Sequence, residues 1–212
     1  MKAFIFDFDG VIVDSQRHWD SFTLTHIRSF IPSWTEADNQ RQRGLSNVDT
    51  HAMLVQEYGL THSLEEFMTT LNAHIENLYD NVRLFDGVDA LLKRLSSMNI
   101  PVGLATASRA QWVLPVLERH GIHHHFQAAS TMDDVMKSKP DPEVYLRTAR
   151  ELKVDPRLCV ALEDSTFGIR SAKSAGMTVI GLRHAYATED LSLADRIIDH
   201  PDELTTEILK ML

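Results

Sequence analysis

Lys2-Ala3-Phe4-Ile5-Phe6-Asp7-Phe8-Asp9-Gly10-Val11-Ile12-Val13-Asp14-Ser15 decides how the rest of the chain is read. An apolar run of strand composition ends in two carboxylates and an Asp-Gly turn pair, and a second apolar stretch follows. Along an extended backbone, residues two apart point to the same side. Asp7 and Asp9 are therefore expected to converge on one bound group while Phe8 packs away. Like charges held that close are costly, so the pair calls for a cation or a shared proton.

From residue 86 onward, apolar runs of strand length alternate with amphipathic helical stretches, the pattern of a parallel sheet covered by helices. Strands are expected at 2–6, 101–105, 126–130, 158–162, 178–182 and 196–198. Val113, Val116, Leu117 and His120 mark one helical face, and Tyr145, Ala149 and Leu152 another. Residues 15–85 differ, with one helical stripe of Trp19, Phe22, His26 and Phe30 and a second of Phe67, Leu71, Ile75 and Leu78. The polar stretch Asn39 to Asn47, which contains Gly44, predicts a loop between helices. The expected fold class is α/β. A core domain of residues 1–14 and 86–212 forms a doubly wound parallel sheet that carries the catalytic site, and residues 15–85 form an inserted all-helical cap domain.

At 212 residues and 43% hydrophobic, the chain suits one large domain or two small ones with real cores. Lys and Arg number 21 against 30 Asp and Glu, a formal charge of -9, and no basic run or basic-aromatic alternation suits a nucleic-acid backbone. No apolar run approaches the ~20 residues of a membrane span. The sole cysteine, Cys159, sits in an apolar run, so no internal disulfide forms and a cytoplasmic, reducing compartment is expected. A monomer is the default for a chain of this size without an evident apolar patch.

In open parallel sheets ligands bind beyond the carboxyl ends of the strands, so the residues after each apolar run belong together. Asp7 and Asp9 follow the first strand, Thr106 and Ser108 the second, and Glu163, Asp164 and Ser165 the run that begins at Leu158, while Lys139 precedes Pro140-Asp141-Pro142. Four carboxylates and a phosphate of about two negative charges exceed what Lys139 alone balances, so a divalent cation is required. Oxygen donors without nearby Cys or His suit a hard ion, and Mg²⁺ is the economical choice. With the charge screened, an Asp7 oxygen attacks phosphorus, and Asp9 protonates the leaving oxygen and later takes a proton from water. Asp141 and Pro142 read as a helix start, which places Lys139 where anions are favoured. Ser165 reads as the cap of a helix that Gly176 ends.

The constellation resembles the haloacid dehalogenase superfamily across the whole chain. Asp7-Phe8-Asp9-Gly10-Val11 matches its first motif, Thr106 its second, Lys139-Pro140 its third and Glu163-Asp164 its fourth. Asp7 through Ser15 and Leu162 through Gly168 look like the branch of β-phosphoglucomutase and the small-metabolite phosphatases, whose helical cap falls between the first two motifs. The resemblance implies Asp7 as nucleophile and Asp9 as acid and base, with Thr106 and Lys139 on the phosphate. It also implies Mg²⁺ held by Asp7, the Asp9 backbone, Glu163 and Asp164.

Within the family, the second aspartate argues against dehalogenation, which needs no protonated leaving oxygen. The mutase and phosphonoacetaldehyde hydrolase branches use a cap lysine, and residues 15–85 contain none. The mutase histidine corresponds to Trp19 and the mutase cap-loop arginine to Asn47. Mg²⁺-dependent hydrolysis of a small phosphorylated, sugar-like metabolite is therefore the expected function, with a phosphosugar mutase and a non-catalytic phosphometabolite-binding protein as the alternatives. Arg43, Asn47, His18 and Trp19 are the cap candidates for contacting hydroxyls or a second anion. Ser108 is an additional candidate on the phosphate, and Glu163 has the alternative role of salt-bridge partner. A phospho-receiver domain would lack the helical insert, and a dinucleotide enzyme would need a Gly-rich turn after its first strand. His120, His123, His124 and His125 lack a Cys partner and regular spacing, and read as a solvated loop instead of a zinc site.

Overall fold

Six short apolar runs form the sheet: β1 (Ala3–Phe6), β2 (Val102–Ala105), β3 (Ala128–Ser130), β4 (Cys159–Glu163), β5 (Thr178–Leu182) and β6 (Arg196–Ile198). They pair in the order β3-β2-β1-β4-β5-β6, every pairing parallel. The computed structural model describes residues 1–42, 45, 47–184 and 189–212, and for 16–21 the backbone alone. Contacts divide the chain into two units, Met1–Asp14 with Val82–Leu212, and Ser15–Asn81.

In the first unit β1 is central, with Phe4 opposite Val102 on one side and Val160 on the other. All four of its side chains are buried, which explains a continuous apolar run where a one-faced strand would alternate. The chain runs outward from β1 through β2 to β3, then crosses back to β4, so the direction of winding reverses between β1 and β4. Ligands of doubly wound sheets bind at such a reversal. The expected strands all form, with ends moved by two residues or fewer. The largest shift is at β3, where Gln127 exchanges bonds with Val102 ahead of the regular ladder.

The second unit holds α1 (Gln16–Phe30), α2 (Glu36–Gln42), α3 (Asn47–Tyr58) and α4 (Leu64–Asn81). Its core gathers Ile27, Ile31, Trp34, Leu54, Leu60 and Phe67. Two details correct the sequence reading. The stripe of α4 runs Phe67, Leu71, Ile75, Tyr79, because a spacing of four keeps Tyr79 over Ile75 and leaves Leu78 half-buried. The expected loop from Asn39 is partly helix, since α2 continues to Gln42 and Asn39 is buried beneath the Trp34 indole N–H at 3.5 Å. The signal for α2 was Thr35 with Asp38, whose side chains and backbone amides bond reciprocally at 2.9 and 3.2 Å, a capping box. Ser63 and Glu66 open α4 in the same way.

His26 is buried among Phe30 and Phe67, and its Nδ1 lies 3.2 Å from His74 Nδ1. Burial, and then His74, lower its pKa to about 4. An unfolded histidine titrates near 6.5, so between about pH 6.5 and 4 the unfolded chain binds the extra proton and stability is lost as the pH is lowered. A loss on the order of 2–3 kcal/mol is expected over that window. Urea denaturation followed by tryptophan fluorescence is expected to show this slope in the wild type and a shallower one in His26→Leu. Equal slopes would rule it out.

The sheet is covered by α5 (Val88–Ser97), α6 (Ala110–Arg119), α7 (Glu143–Glu151) and α8 (Thr166–Ser174), and α9 (Thr206–Met211) ends the chain. Val113, Val116 and Leu117 are buried as expected, while His120 lies just past α6 with Nε2 on the Val82 carbonyl at 3.1 Å. Cys159 is buried and its thiol is pushed up to about 11, first by burial and then by Asp155, so it is an inert core residue. Among the described residues, no helix is long and apolar enough to cross a membrane.

Candidate active site

Asp7 leaves the end of β1 with its backbone N–H still on the Leu162 carbonyl at 3.0 Å, so the ladder to β4 fixes its position. Its Oδ1 accepts from Lys139 Nζ at 2.7 Å. The same ammonium donates to Glu163 Oε1 at 2.6 Å. All three side chains are 9% exposed or less, so these are buried charges in direct contact.

Glu163, the last residue of β4, has both oxygens occupied. Oε1 also accepts the Tyr145 hydroxyl at 2.7 Å, and Oε2 accepts the backbone N–H groups of Asp164 and Ser165 at 3.2 and 3.3 Å and Ser165 Oγ at 3.1 Å. Ser165 Oγ in turn accepts from Gly168 N, the cap predicted for α8. At Gly168 a Cβ would overlap the Glu163 carboxylate, so this turn of α8 admits only a residue without one. Asp164 Oδ2 lies 3.4 Å from His184 Nε2, with both side chains 2% exposed or less.

The other side of the site is lighter. Asp9 is half-buried, and its Oδ2 accepts from Ser108 Oγ at 2.6 Å. Ser108 N donates to Thr106 Oγ1 at 3.0 Å, and Thr106, buried at the end of β2, donates its own N–H to Ser130 O. Helical geometry in α7 is counted from Glu143, one residue later than expected, yet Asp141 Oδ1 accepts the Glu143 N–H at 3.1 Å as a cap does.

Electrostatics follow from burial and proximity. Burial raises the Asp7 carboxyl well above its usual range, and Glu163 and Asp164 push the same way against Lys139. Burial would lower Lys139, but Asp7 and Glu163 outweigh it and hold the ammonium charged. Burial, reinforced by Glu163, keeps the Tyr145 phenol protonated, so it serves as a neutral donor.

Among the described residues, the group of metal-ligating side chains with ligand atoms within 4.8 Å of one another is Asp7, Glu163 and Asp164. Of the four carboxylates pooled from sequence, these three meet. The Asp9 carboxylate accepts from Ser108 Oγ, the hydroxyl that follows β2. The histidines after α6 do not form such a group; His123–His125 make a single 3-10 turn.

In the helical unit, Asn47 is exposed at the start of α3 and lines a cavity of about 260 Å³ with Phe22, Thr23, His26, Gln42 and Thr50. Arg43 lies outside the described residues, as do the side chains of His18 and Trp19.

Sequence reasoning missed two neighbours. The sequence marks Tyr145 only as a position on the apolar face of a helix. Its spacing of four from Ala149 is a usable signal, since it sets Tyr145 on the buried face of α7. His184, two residues past β5, carried no motif signal.

A family model described as haloacid dehalogenase-like hydrolase matches residues 4–182. β-Phosphoglucomutase of Bacillus subtilis strain 168 is 33% identical over an alignment that covers 99% of this chain and 94% of that protein. The phosphorylated carbohydrates phosphatase of Thermotoga maritima is 29% identical over 87% of each chain. The crystal structure of β-phosphoglucomutase from Clostridium difficile is 26% identical with a TM-score of 0.77, covering 100% of this chain and 96% of that one.

Proposed function

The chain belongs to the haloacid dehalogenase-like hydrolase family, and from that premise we propose that it hydrolyses the phosphoric monoester of a small, sugar-like metabolite through an aspartyl-phosphate on Asp7. The observation that carries the reading is the meeting of Asp7, Lys139, Glu163 and Asp164 at the point where the sheet reverses its winding. A relative named for phosphorylated carbohydrates supports the substrate class.

Three buried carboxylates face one buried ammonium, and a phosphate adds about two further negative charges. That excess, on oxygen donors, fits a hard divalent cation, and Mg²⁺ held by Asp7, Glu163 and Asp164 is the proposed cofactor, with the Asp9 backbone as a further ligand from the family resemblance. When bound, Mg²⁺ supplies the positive charge that keeps Asp7 ionised and offsets the incoming phosphate.

Lys139 holds Asp7 Oδ1, which leaves Oδ2 as the attacking atom. The new bond from Oδ2 to phosphorus forms as the ester P–O bond breaks. Asp9, entering as the acid and steadied by Ser108, gives its proton to the leaving oxygen. As a carboxylate it then takes a proton from water, whose oxygen attacks phosphorus to free Asp7 and inorganic phosphate. Lys139 and Thr106 hold the phosphoryl oxygens. The α/β unit is proposed as the catalytic domain and the helical unit, through Asn47 and Arg43, as the selector of the leaving group.

The full-length likeness to a mutase supports a second reading, in which a phosphosugar instead of water takes the phosphoryl group. The absence of lysine from residues 15–85 speaks against it. Phosphate release from p-nitrophenyl phosphate and a panel of sugar phosphates separates these. The expected result is Mg²⁺-dependent release that a chelator abolishes. Conversion of β-glucose 1-phosphate to glucose 6-phosphate without release would establish the mutase, and phosphate binding without turnover the binding protein.

A further inference from the structure

We infer that Tyr145 is a positioning residue that acts through Glu163 to set where the Lys139 ammonium stands. The inference rests on the function proposed above. Tyr145 is fully buried, and it touches Lys139 and Glu163 together. Its hydroxyl donates to Glu163 Oε1 at 2.7 Å, the same oxygen that takes Lys139 Nζ at 2.6 Å, and Nζ lies 5.0 Å from the centre of the Tyr145 ring. Nζ is also 3.5 Å from the hydroxyl oxygen.

The geometry makes Lys139 the object of a contest. Asp7 and Glu163 pull on one ammonium from two strands, at 2.7 and 2.6 Å. A phenol proton on Glu163 Oε1 takes up part of that oxygen's charge and so weakens the pull from β4. The ring face meanwhile supplies a surface on which a cation is favoured. Without the hydroxyl, Glu163 draws Lys139 toward itself and away from Asp7, where the phosphoryl group is to be held. Hydrogen-bond partners of metal-ligating side chains commonly shift metal affinity or activity by roughly tenfold or more.

Tyr145→Phe keeps the ring and removes only the hydroxyl. Calorimetric binding of inorganic phosphate in the presence of Mg²⁺ is expected to weaken roughly tenfold, while the urea midpoint falls only by what one buried hydrogen bond to a carboxylate contributes. Because Tyr145 acts through Glu163, the double variant with Glu163→Gln is expected to bind phosphate no more weakly than Glu163→Gln alone. Phosphate binding unchanged in Tyr145→Phe, or losses that multiply in the double variant, would overturn the assignment. Should Glu163→Gln not fold, Tyr145→Leu replaces it: a wild-type-like Phe variant beside a defective Leu variant would mean that the ring only fills space, and would also overturn it. Wild-type protein that binds no phosphate would sink the phosphatase reading instead. Tyr145 is then judged from unfolding free energies, where coupling between Tyr145→Phe and Glu163→Gln is expected and strict additivity refutes it.

Discussion

Asp7→Asn is expected to lower kcat for p-nitrophenyl phosphate by ~10⁴-fold or more, the scale on which removal of a nucleophile acts. An amide cannot form the acyl-phosphate, and the neighbouring carboxylates are already engaged: Glu163 is held on both oxygens, Asp9 accepts from Ser108, and Asp164 lies against His184. The fold is expected to survive. Asp7 is a buried carboxylate whose repulsion from Glu163 and Asp164 partly cancels its bond to Lys139, so an uncharged replacement loses little. Steady-state release of p-nitrophenol, with a thermal melt as control, checks both halves. Intact-mass spectrometry after acid quench is expected to detect a phosphoryl adduct on the wild type and none on the variant. Turnover within tenfold of wild type would remove Asp7 from the mechanism.

Lys139→Met is expected to have the largest effect on stability, about 3–5 kcal/mol at neutral pH, the cost of leaving buried charges without their partner. Asp7 and Glu163 lose the one ammonium that the structure sets between them. The sign of the pH dependence follows. Without Lys139 the folded-state Asp7 carboxyl titrates still higher than in the wild type, where burial already raises it, while an unfolded carboxyl titrates near 4. The folded variant therefore holds more protons than the unfolded chain above about pH 4, and its deficit against the wild type grows as pH rises toward neutrality. Urea midpoints from pH 4 to 7.5 test this, and a deficit independent of pH would contradict it. Mg²⁺ is expected to raise the midpoint of the variant, because a cation that binds only the folded cluster stabilises it by mass action.

Most of the architecture is legible in the sequence. The strands were visible because each is a short apolar run bounded by turn residues, and hydrophobic periodicity survives translation into three dimensions whatever the neighbours are. Caps at Ser165 and Asp141 were visible for a similar reason, since a cap bonds to an amide two or three residues away. The misreadings fell where a local signal was overridden or overlooked. Polar composition around Asn39 suggested a loop, yet the box made by Thr35 and Asp38 starts a helix there.

By itself, the sequence determined the alternation of strands and helices, the helical insert, and the set of residues that reach the strand ends. Those features follow from interactions a few residues long. Only the tertiary structure decided which of those groups pair: Lys139 with both Asp7 and Glu163, Tyr145 with Glu163, His184 beside Asp164, and Asp9 with Ser108. The physical reason is that placing β4 against β1, in the register Phe6 to Leu162, brings together groups more than 150 positions apart and buries them, and burial is what turns a list of acids into one coupled electrostatic site.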